Sequence, residues 1–487
     1  MSFRIAAVAF ACLTGISSAY AQSEPLADGG FAASALSACK TDLRYLNHVS
    51  GWQGVWPREW QAVAASAASS AEAIARWQAA PAAVNDAIDA LRTGIVSKET
   101  APRPVVLRVL QQVRDLIGAL DARDSRYFAE SAAGGAWNAL IKDEILPALI
   151  EYERFLDVEY LPKARRRPGL SDIENGEDCF RHAVAFWTTL DLSRDEIEAV
   201  GRRLLEATRA DLAATGEDGA DVEKIMERLR EWQTTDMTTA AELIAISEKV
   251  LTRAQDATLL AFEKTARRPI DVVEMPAHVQ ASFPAGYYVG PNDDPASAGQ
   301  YVINPSRPGE RRLMAEAIAF HEGVPGHHLF FDYPRETPSQ GFNAGLLEGW
   351  GLYSEYVADE MGLYSTTFDR QGMMAKHLWA ASRLIVEPGL HLRGWSREKA
   401  IDFMLESTLL PRAEIEIEID RYIAMPGHSL SYMLGADLIL SERERARAEL
   451  GPAFDIRAFH ELVVGPGVRP LPQLRDEIRA WAALSEP

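Results

Sequence analysis

The spacing of apolar residues predicts a mainly helical chain. Between about residues 36 and 268, apolar side chains recur every three or four positions, which is the period of one face of an α-helix. One such stripe is made by Val106, Leu110, Val113 and Ile117. The segments 193–196 and 239–242 have the Ser/Thr-x-x-Glu pattern that begins helices, because both side chains can satisfy backbone N–H groups there.

Two short segments predict strands instead. Tyr287–Val289 and Tyr301–Ile303 are rich in aromatic and β-branched residues, and the loop 290–300 between them contains Pro, Asn, Asp and Gly. We expect one small β-hairpin here, after which the helical pattern returns almost to the end of the chain. The predicted fold class is therefore mainly α, with no internal repeat.

The first 21 residues have the pattern of a secretory signal. Arg4 is the single charged residue, an apolar run covers residues 5–13, and Ala19-Tyr20-Ala21 matches the cleavage site. We therefore predict export to the periplasm or the medium. We also predict no membrane insertion, because no later segment approaches the roughly 20 apolar residues that span a bilayer.

The remaining chain has a soft boundary near Arg268–Pro269. It separates a helical N-terminal half, residues 22–268, from a second half, residues 269–487, which contains the histidine motif described below. A length of 487 residues allows two or three domains. Since no Gly/Ser-rich or Pro-rich linker lies at the boundary, we expect one continuous globular unit.

Composition narrows the range of partners. The net charge is −20 and 47% of the residues are hydrophobic, as in ordinary globular proteins. An acidic surface repels phosphates, so a nucleic-acid partner is excluded. Cys39 and Cys179 would remain after removal of the leader. In an oxidising compartment they could form a disulfide, or both could be buried free thiols.

Candidate metal ligands lie in segment 321–328, which reads His-Glu-Gly-Val-Pro-Gly-His-His. A His-Glu pair followed closely by another His can offer zinc two imidazoles and a general base. On an ideal helix His327 would lie about 120° from the face of His321, and His328 about 10.5 Å along the axis. Because Pro325 disrupts the helix, we expect His327 to reach the second-ligand position, with His328 as the alternative.

A third ligand is predicted on a later helix. Glu348 follows His327 by 21 residues, which leaves room for a loop and a returning helix. Glu355 lies seven residues further on the same face and is placed to orient a ligand imidazole. The predicted cofactor is one Zn²⁺ held by His321, His327 and Glu348, although the same ligands suit manganese or cobalt.

The motifs at 321–328 (His-Glu-x-x-Pro-Gly-His-His) and 348–355 (Glu-Gly-Trp-x-x-Tyr-x-Glu) resemble the bacterial domain of unknown function 885 family. The resemblance covers most of the mature chain and includes the stretches 160–162, 188–192, 287–288, 389–395 and 420–435. It implies a gluzincin-like zinc metallopeptidase. It also implies a large helical fold with a deep channel, akin to neurolysin or angiotensin-converting enzyme.

Three positions depart from the patterns of related enzymes. The family usually has Gln where His428 stands and Lys where Met433 stands. If that lysine binds a substrate carboxylate, this chain lacks the contact. Leu352 stands where a thermolysin-like enzyme places a second acid, so Glu355 would have to replace it.

The predicted ligands and the resemblance together imply hydrolysis of an amide bond. Glu322 would take a proton from the attacking water and deliver it to the leaving amine. Tyr432 and His391 are candidate donors to the oxyanion, since related helical peptidases use Tyr and His from C-terminal helices. Arg421 could bind a substrate carboxylate bidentately, or it could merely pair with the acids of residues 414–420.

Further contacts with substrate are predicted at three residues. Tyr301 begins a segment that could accept an extended peptide as an edge strand. Tyr422 and His428 belong to the stretch that resembles the family. Five other histidines show no partner spacing and are predicted to be structural: His48, His182, His278, His377 and His460.

The expected function is that of an exported zinc-dependent hydrolase acting on short peptides, because a helical channel excludes folded chains. A carboxypeptidase or dipeptidyl carboxypeptidase is the first interpretation. One alternative is a metal-dependent amidase acting on a small non-peptide amide. The other is a binding protein that kept the site but lost turnover.

Overall fold

The computed structural model describes residues 46–65, 71–130, 134–216, 221–275, 280, 285–291, 296–335 and 341–484. The predicted leader, residues 1–21, and Cys39 lie outside these described residues. Cys179 is buried and disulfide-bonded. For this cysteine the possibility of a buried free thiol is therefore wrong.

Helices make up nearly all of the described N-terminal half, as the apolar spacing predicts. They are α1 (Trp52–Ala65), α2 (Ala71–Trp77), α3 (Ala80–Ser97), α4 (Arg103–Asp121), α5 (Gly135–Ala139), α6 (Leu146–Arg154), α7 (Gly176–Thr188), α8 (Arg194–Ala213), α9 (Val222–Thr235) and α10 (Ala240–Ala257). π-Helical turns at Leu140–Ile145 and Phe155–Tyr160 flank α6. Short 3₁₀ turns follow at Leu161–Lys163 and Thr258–Leu260.

The second half is also mainly helical. Its helices are α11 (Pro308–Arg312), α12 (Ala315–Glu322), α13 (His327–Asp332), α14 (Ala344–Glu360), α15 (Thr367–His391), α16 (Arg397–Ser407), α17 (Arg412–Ala424), α18 (Ser431–Leu450), α19 (Ile456–Val464) and α20 (Leu471–Leu484). Short 3₁₀ turns lie at His428–Leu430 and Gly451–Ala453. In the part of the chain that the structure describes, no helix is both long enough and apolar enough to cross a membrane.

The local helix signals are confirmed. Complete capping boxes begin α8 and α10, where Glu196 and Glu242 bond back to Ser193 and Thr239. Val106, Leu110 and Val113 are buried on one face of α4, and Ile117 packs against the core from a partly buried position.

The strands form a sheet of three rather than a hairpin of two. β2 (Gly286–Val289) and β3 (Gly299–Ile303) pair antiparallel as predicted, but β1 (Ile270–Glu274) adds to the other side of β3 in parallel. The predicted hairpin is therefore confirmed, but it belongs to a larger sheet than the sequence predicts. The local sequence pattern does not predict β1, because this strand is short and half-exposed and because its partner strand lies far along the chain. The order β1–β3–β2 makes β3 the central strand, so Tyr301 does not lie on an edge.

The largest apolar core draws residues from both sides of the predicted boundary. Val106 and Tyr152 come from the first half, and Phe320, Leu378 and Ile419 come from the second. Each of these side chains is buried. A second cluster surrounds α14, and a third joins tryptophans of α1, α2 and α5.

Two helices at the centre of the molecule are buried on nearly every face. α14 crosses α18 so closely that a Cβ on Gly349 would lie 2.5 Å from the Cα atom of Gly435. α15 also buries Lys376, Arg383 and Glu387. Since a buried charge is costly unless it is paired, the polar side chains of these helices must find partners in the interior.

Candidate metal centre

A break between two helices brings His321 and His327 together. α12 ends at Glu322, a turn containing a cis Val324–Pro325 peptide follows, and α13 begins at His327. The two imidazole rings lie 4.8 Å apart with an interplanar angle of 80°. The sequence predicts a distorted helix at this point, whereas the structure shows a complete interruption. The interruption places both rings on the same side of the turn.

Gly326 allows the turn to pass close to the end of α12. A Cβ on this residue would lie 2.0 Å from the carbonyl oxygen of His321, so a side chain here would push the turn away. Trp350 of α14 then holds the turn, because its indole N–H donates to the carbonyl oxygen of Pro325 at 3.0 Å. Pro325, Gly326 and Trp350, which come from the two sequence motifs, therefore all help to fix the position of this turn.

Glu348 of α14 completes a buried group of three potential ligands. Its Oε2 atom lies 3.4 Å from Nε2 of His321 and 3.6 Å from Nε2 of His327. One ligand atom from each residue lies within 4.8 Å of the others. Zinc with tetrahedral ligands at about 2.0–2.1 Å needs neighbouring donor atoms about 3.3–3.4 Å apart. The two distances to Glu348 are close to that value, so the donor set fits one zinc ion.

Glu355 supports His321 from the side opposite Glu348. Its Oε1 atom lies 2.9 Å from Nδ1 of His321 and 2.5 Å from Nζ of Lys376, while Oε2 lies 3.2 Å from Nε2 of His377. Burial would raise the pKa of Glu355, but Lys376 and the hydrogen bonds with both histidines hold it far below its ordinary value. The carboxylate fixes the His321 ring with Nε2 toward Glu348.

The pKa values within the group show that it favours a positive charge. Although burial opposes ionisation, hydrogen bonds with His321 and His327 hold the pKa of Glu348 well below 4.5. Burial and Lys376 lower the pKa of His321, yet hydrogen bonds with Glu348 and Glu355 raise it above 6.5 overall. The carboxylates therefore stabilise a cation between them.

His328 faces away from this group. Its Nδ1 atom lies 3.0 Å from the hydroxyl of Tyr288, and its Nε2 atom lies 2.9 Å from the carbonyl oxygen of Arg268. Both ring nitrogens are thus engaged elsewhere, and burial lowers the pKa of the ring. The alternative prediction, that His328 is the second ligand, is therefore wrong. His327 is the histidine that the helix break directs toward Glu348.

The centre opens on a cavity of about 260 Å³. His321, His327 and Glu348 line it, and so do Glu322 and Tyr432. The Tyr432 ring stacks on that of His321, with centroids 6.1 Å apart and planes 16° apart. The carboxylate of Glu322 and the phenol of Tyr432 therefore line the same cavity as the three potential ligands.

Both halves of the chain contribute to the cavity lining. The first half supplies residues around His48 and on α4, and the edge strand β2 supplies Gly286–Tyr288. Burial lowers the pKa of His48 to about 4, and its Nδ1 atom has no hydrogen-bond partner among the described residues. His48 therefore faces the site as a neutral ring rather than only filling the core.

Arg421 lines the cavity, but its guanidinium is occupied. Nε and Nη2 bind the two oxygens of Glu418 at 2.8 and 2.7 Å, and Nη1 lies 3.1 Å from Nδ1 of His428. Of the two interpretations offered by the sequence, pairing with the acids of its own helix describes these contacts. All three nitrogens of the Arg421 guanidinium therefore already have a protein partner.

His391 and Tyr422 do not line the cavity. His391 is fully buried at the end of α15, where Nε2 lies 3.1 Å from the carbonyl oxygen of Tyr422 and the ring stacks on Phe180. The hydroxyl of Tyr422 accepts hydrogen bonds from Trp379 and Arg383, each at 3.0 Å. The prediction that these two residues contact the substrate is therefore wrong. Both side chains pack behind the residues that line the cavity.

His428 and Tyr301 also lie behind the lining rather than in it. His428 is buried against Trp187 with its ring edge-on and bonds Arg421. Tyr301 is buried on the central strand, where β1 and β2 already take its backbone partners. Among the described strands, β2 is the edge strand that also lines the cavity, so the prediction that the segment beginning at Tyr301 is an edge strand is wrong.

The sequence does not predict that three residues of α15 line the cavity. Lys376, Trp379 and Arg383 all face the cavity, at positions spaced like one side of a helix. A lysine, a tryptophan and an arginine at i, i+3 and i+7 are the signal in the sequence that could have indicated them. His377 bonds Glu355, so its interpretation as a purely structural histidine overlooks its support of the centre.

Comparison with known proteins finds a matching family model and solved structures of similar fold. The family model described as "Bacterial protein of unknown function (DUF885)" matches residues 26–478. A solved "putative lipoprotein from Colwellia psychrerythraea" is 24% identical, covering 90% of this chain and 81% of that one, with a TM-score of 0.78. A second, a "putative lipoprotein of unknown function from Shewanella oneidensis", is 18% identical, covering 90% and 83%, with a TM-score of 0.67. These two likenesses show a shared fold. No curated protein matches the chain.

Proposed function

The chain belongs to the bacterial DUF885 family, and we propose that this member is a zinc-dependent hydrolase that cleaves amide bonds of short peptides. The observation that carries the proposal is the convergence of His321, His327 and Glu348 beside a cavity that Glu322 also lines. Zinc held by these three residues would lower the pKa of water to about 7 and polarise carbonyl groups.

Glu322 is the proposed general base. It directly follows the ligand His321, it is 9% exposed, and that exposure is toward the cavity. A carboxylate in this position can accept a proton from the attacking water and return it to the leaving amine. The hydroxyl of Tyr432, on the ring stacked against His321, is the proposed donor to the developing oxyanion.

The shape of the site favours a short and extended substrate. A cavity of about 260 Å³ lined by helices on several sides has no room for a folded chain. The edge strand β2 lines the same cavity and offers backbone groups to an extended peptide. A metallopeptidase-like fold of carboxypeptidase or dipeptidyl carboxypeptidase type is part of this proposal.

Export is also part of the proposal. The signal-like pattern of residues 1–21 supports it. The description of two solved neighbours as "putative lipoprotein" supports it as well. An exported hydrolase of this kind would meet free peptides or small amides rather than nucleic acids.

The test is a digest of an unbiased peptide library by the zinc-loaded protein, read by mass spectrometry. We expect cleavage of short peptides, and Glu322→Gln should lose it by at least 100-fold while still retaining one zinc per chain. Glu316→Gln is the matched control. Glu316 lies on the same helix but faces Arg253 and Ser365, so its substitution should preserve cleavage in the folded protein. Full activity of Glu322→Gln, or no cleavage by the wild type, would refute the proposal.

A further inference from the structure

We propose that Arg383 binds the C-terminal carboxylate of the substrate from the lining of the cavity, an inference that rests on the proposed cleavage of short peptides. The side chain is buried in the middle of α15 and lines the cavity. It lies beside Arg421, for which the sequence predicts this role. The two guanidinium groups differ in how many of their nitrogens already have a hydrogen-bond partner.

The hydrogen bonds of Arg383 leave one nitrogen unused. Nε donates to the hydroxyl of Tyr422 at 3.0 Å, and Nη2 donates to Oε2 of Glu418 at 3.0 Å. Nη1 makes no hydrogen bond with any described residue, and it is not among the buried polar atoms that lack a partner, so it is accessible from the cavity. Each nitrogen of Arg421, in contrast, already has a protein partner.

Two aromatic rings hold the Arg383 guanidinium in place. Its central carbon lies 4.2 Å from the ring centroid of Trp379 and 4.6 Å from that of Tyr432. Such stacking restricts the guanidinium and replaces part of its hydration with aromatic contacts. A carboxylate approaching the open nitrogen therefore meets a preorganised donor in surroundings of low polarity, where a charged hydrogen bond is strongest.

The charges immediately around the Arg383 guanidinium also favour an anion. Arg383 and Arg421 share the single carboxylate of Glu418, which leaves one positive charge in excess. Although burial opposes it, the two arginines hold the pKa of Glu418 at about 2, so this carboxylate stays ionised. The neighbouring Glu414 is paired with Arg307 at 2.9 Å and does not neutralise that excess.

The position of Arg383 limits how much of the substrate lies beyond the cleaved bond. The guanidinium is 4.6 Å from the Tyr432 ring, and that ring is 6.1 Å from the ring of His321. The sum of these distances is at most about three residues of extended chain, at roughly 3.3–3.6 Å per residue. A carboxylate held by Arg383 thus belongs to a short leaving fragment of no more than about three residues.

The experiment uses two peptide libraries of identical sequence, one with free C-terminal carboxylates and one with C-terminal amides. For the wild type we expect amidation to lower kcat/KM by about 10- to 100-fold, as for loss of a charged hydrogen bond. Arg383→Gln should remove this preference, so that the variant cleaves the free-carboxylate and amidated libraries with similar kcat/KM. A wild type that cleaves both libraries equally would overturn the assignment while leaving the proposed hydrolysis intact.

Two further measurements separate binding from folding and from turnover. Arg397→Gln, which removes an arginine paired with Asp420 outside the cavity lining, should keep the full preference for free carboxylates.

Retention of both libraries on immobilised Glu322→Gln protein should favour the free-carboxylate form, a readout that needs no turnover and no change at Arg383. Equal retention would overturn the assignment. Preferential retention without any cleavage by the wild type would leave the carboxylate site standing and refute the hydrolysis.

Discussion

The Oε1 atom of Glu355 lies 2.9 Å from Nδ1 of His321, on the side of the ring opposite Glu348. Replacing this carboxylate by an amide in Glu355→Gln weakens the hold on the ring, and loss of such a partner typically lowers metal affinity by about 10- to 100-fold. We expect that decrease in a zinc titration against a chelator of known affinity. Glu360→Gln, at the end of the same helix and paired with Arg443, should bind zinc like the wild type. Equal affinity of all three proteins would show that Glu355 does not orient a ligand.

The histidine motif distinguishes two neighbouring residues with different roles. His327→Ala should abolish stoichiometric zinc binding, because it removes one of three ligands. His328→Ala should still bind zinc but unfold more easily, because it removes the bonds to Tyr288 and Arg268. The loss in unfolding free energy should be about 1–3 kcal/mol, since buried partners are left unsatisfied. Metal content by elemental analysis and urea unfolding check the pair, and reversed results would assign the ligand to His328.

The local part of this architecture could be predicted from the sequence because short-range patterns determine it. The capping boxes at Ser193 and Thr239 act within one helical turn, so the chain itself specifies them. The spacing between His327 and Glu348 leaves room for a second helix, and Glu348 lies on a second helix, α14. The Pro325 break could be predicted too, because proline removes the donor that the helix needs.

The remaining features depend on contacts between distant segments, which no local pattern encodes. β1 gains its strand partner from residues near Tyr301, and this pairing turned the expected edge strand into a central one. Arg383 and His391 are both polar residues of α15, yet Arg383 faces the cavity and His391 packs on Phe180. Which of two such residues reaches a cavity is decided by the packing of α15 against its neighbours.

Gly351 provides the space that the His321 ring occupies. A Cβ on this residue would lie 2.5 Å from Cε1 and 2.7 Å from Nε2 of the imidazole, so Gly351→Ala must displace a ring that Glu355 holds on its other side. We expect zinc affinity to fall by about 10-fold or more, by the same loss of ligand orientation. The control is Gly118→Ala on α4, where nothing lies near the added methyl group. It should gain about 0.5–1 kcal/mol of stability and bind zinc normally. Unchanged affinity in Gly351→Ala would mean that the ring is free to move.

His428 makes the stability of the metal-free protein depend on pH. Burial, followed by the charge of Arg421, lowers its pKa from 6.5 to about 3. Below pH 6.5 the unfolded chain binds a proton that the folded chain refuses, so stability is lost as the pH falls. Between pH 7 and pH 5 this one histidine costs about 2 kcal/mol. The amide of His428→Gln can still accept from Arg421 but does not titrate, so urea unfolding should show a loss smaller by that amount. From pH 7 to pH 8 the two proteins should change in parallel, and identical acid losses would mean that His428 is already protonated when folded.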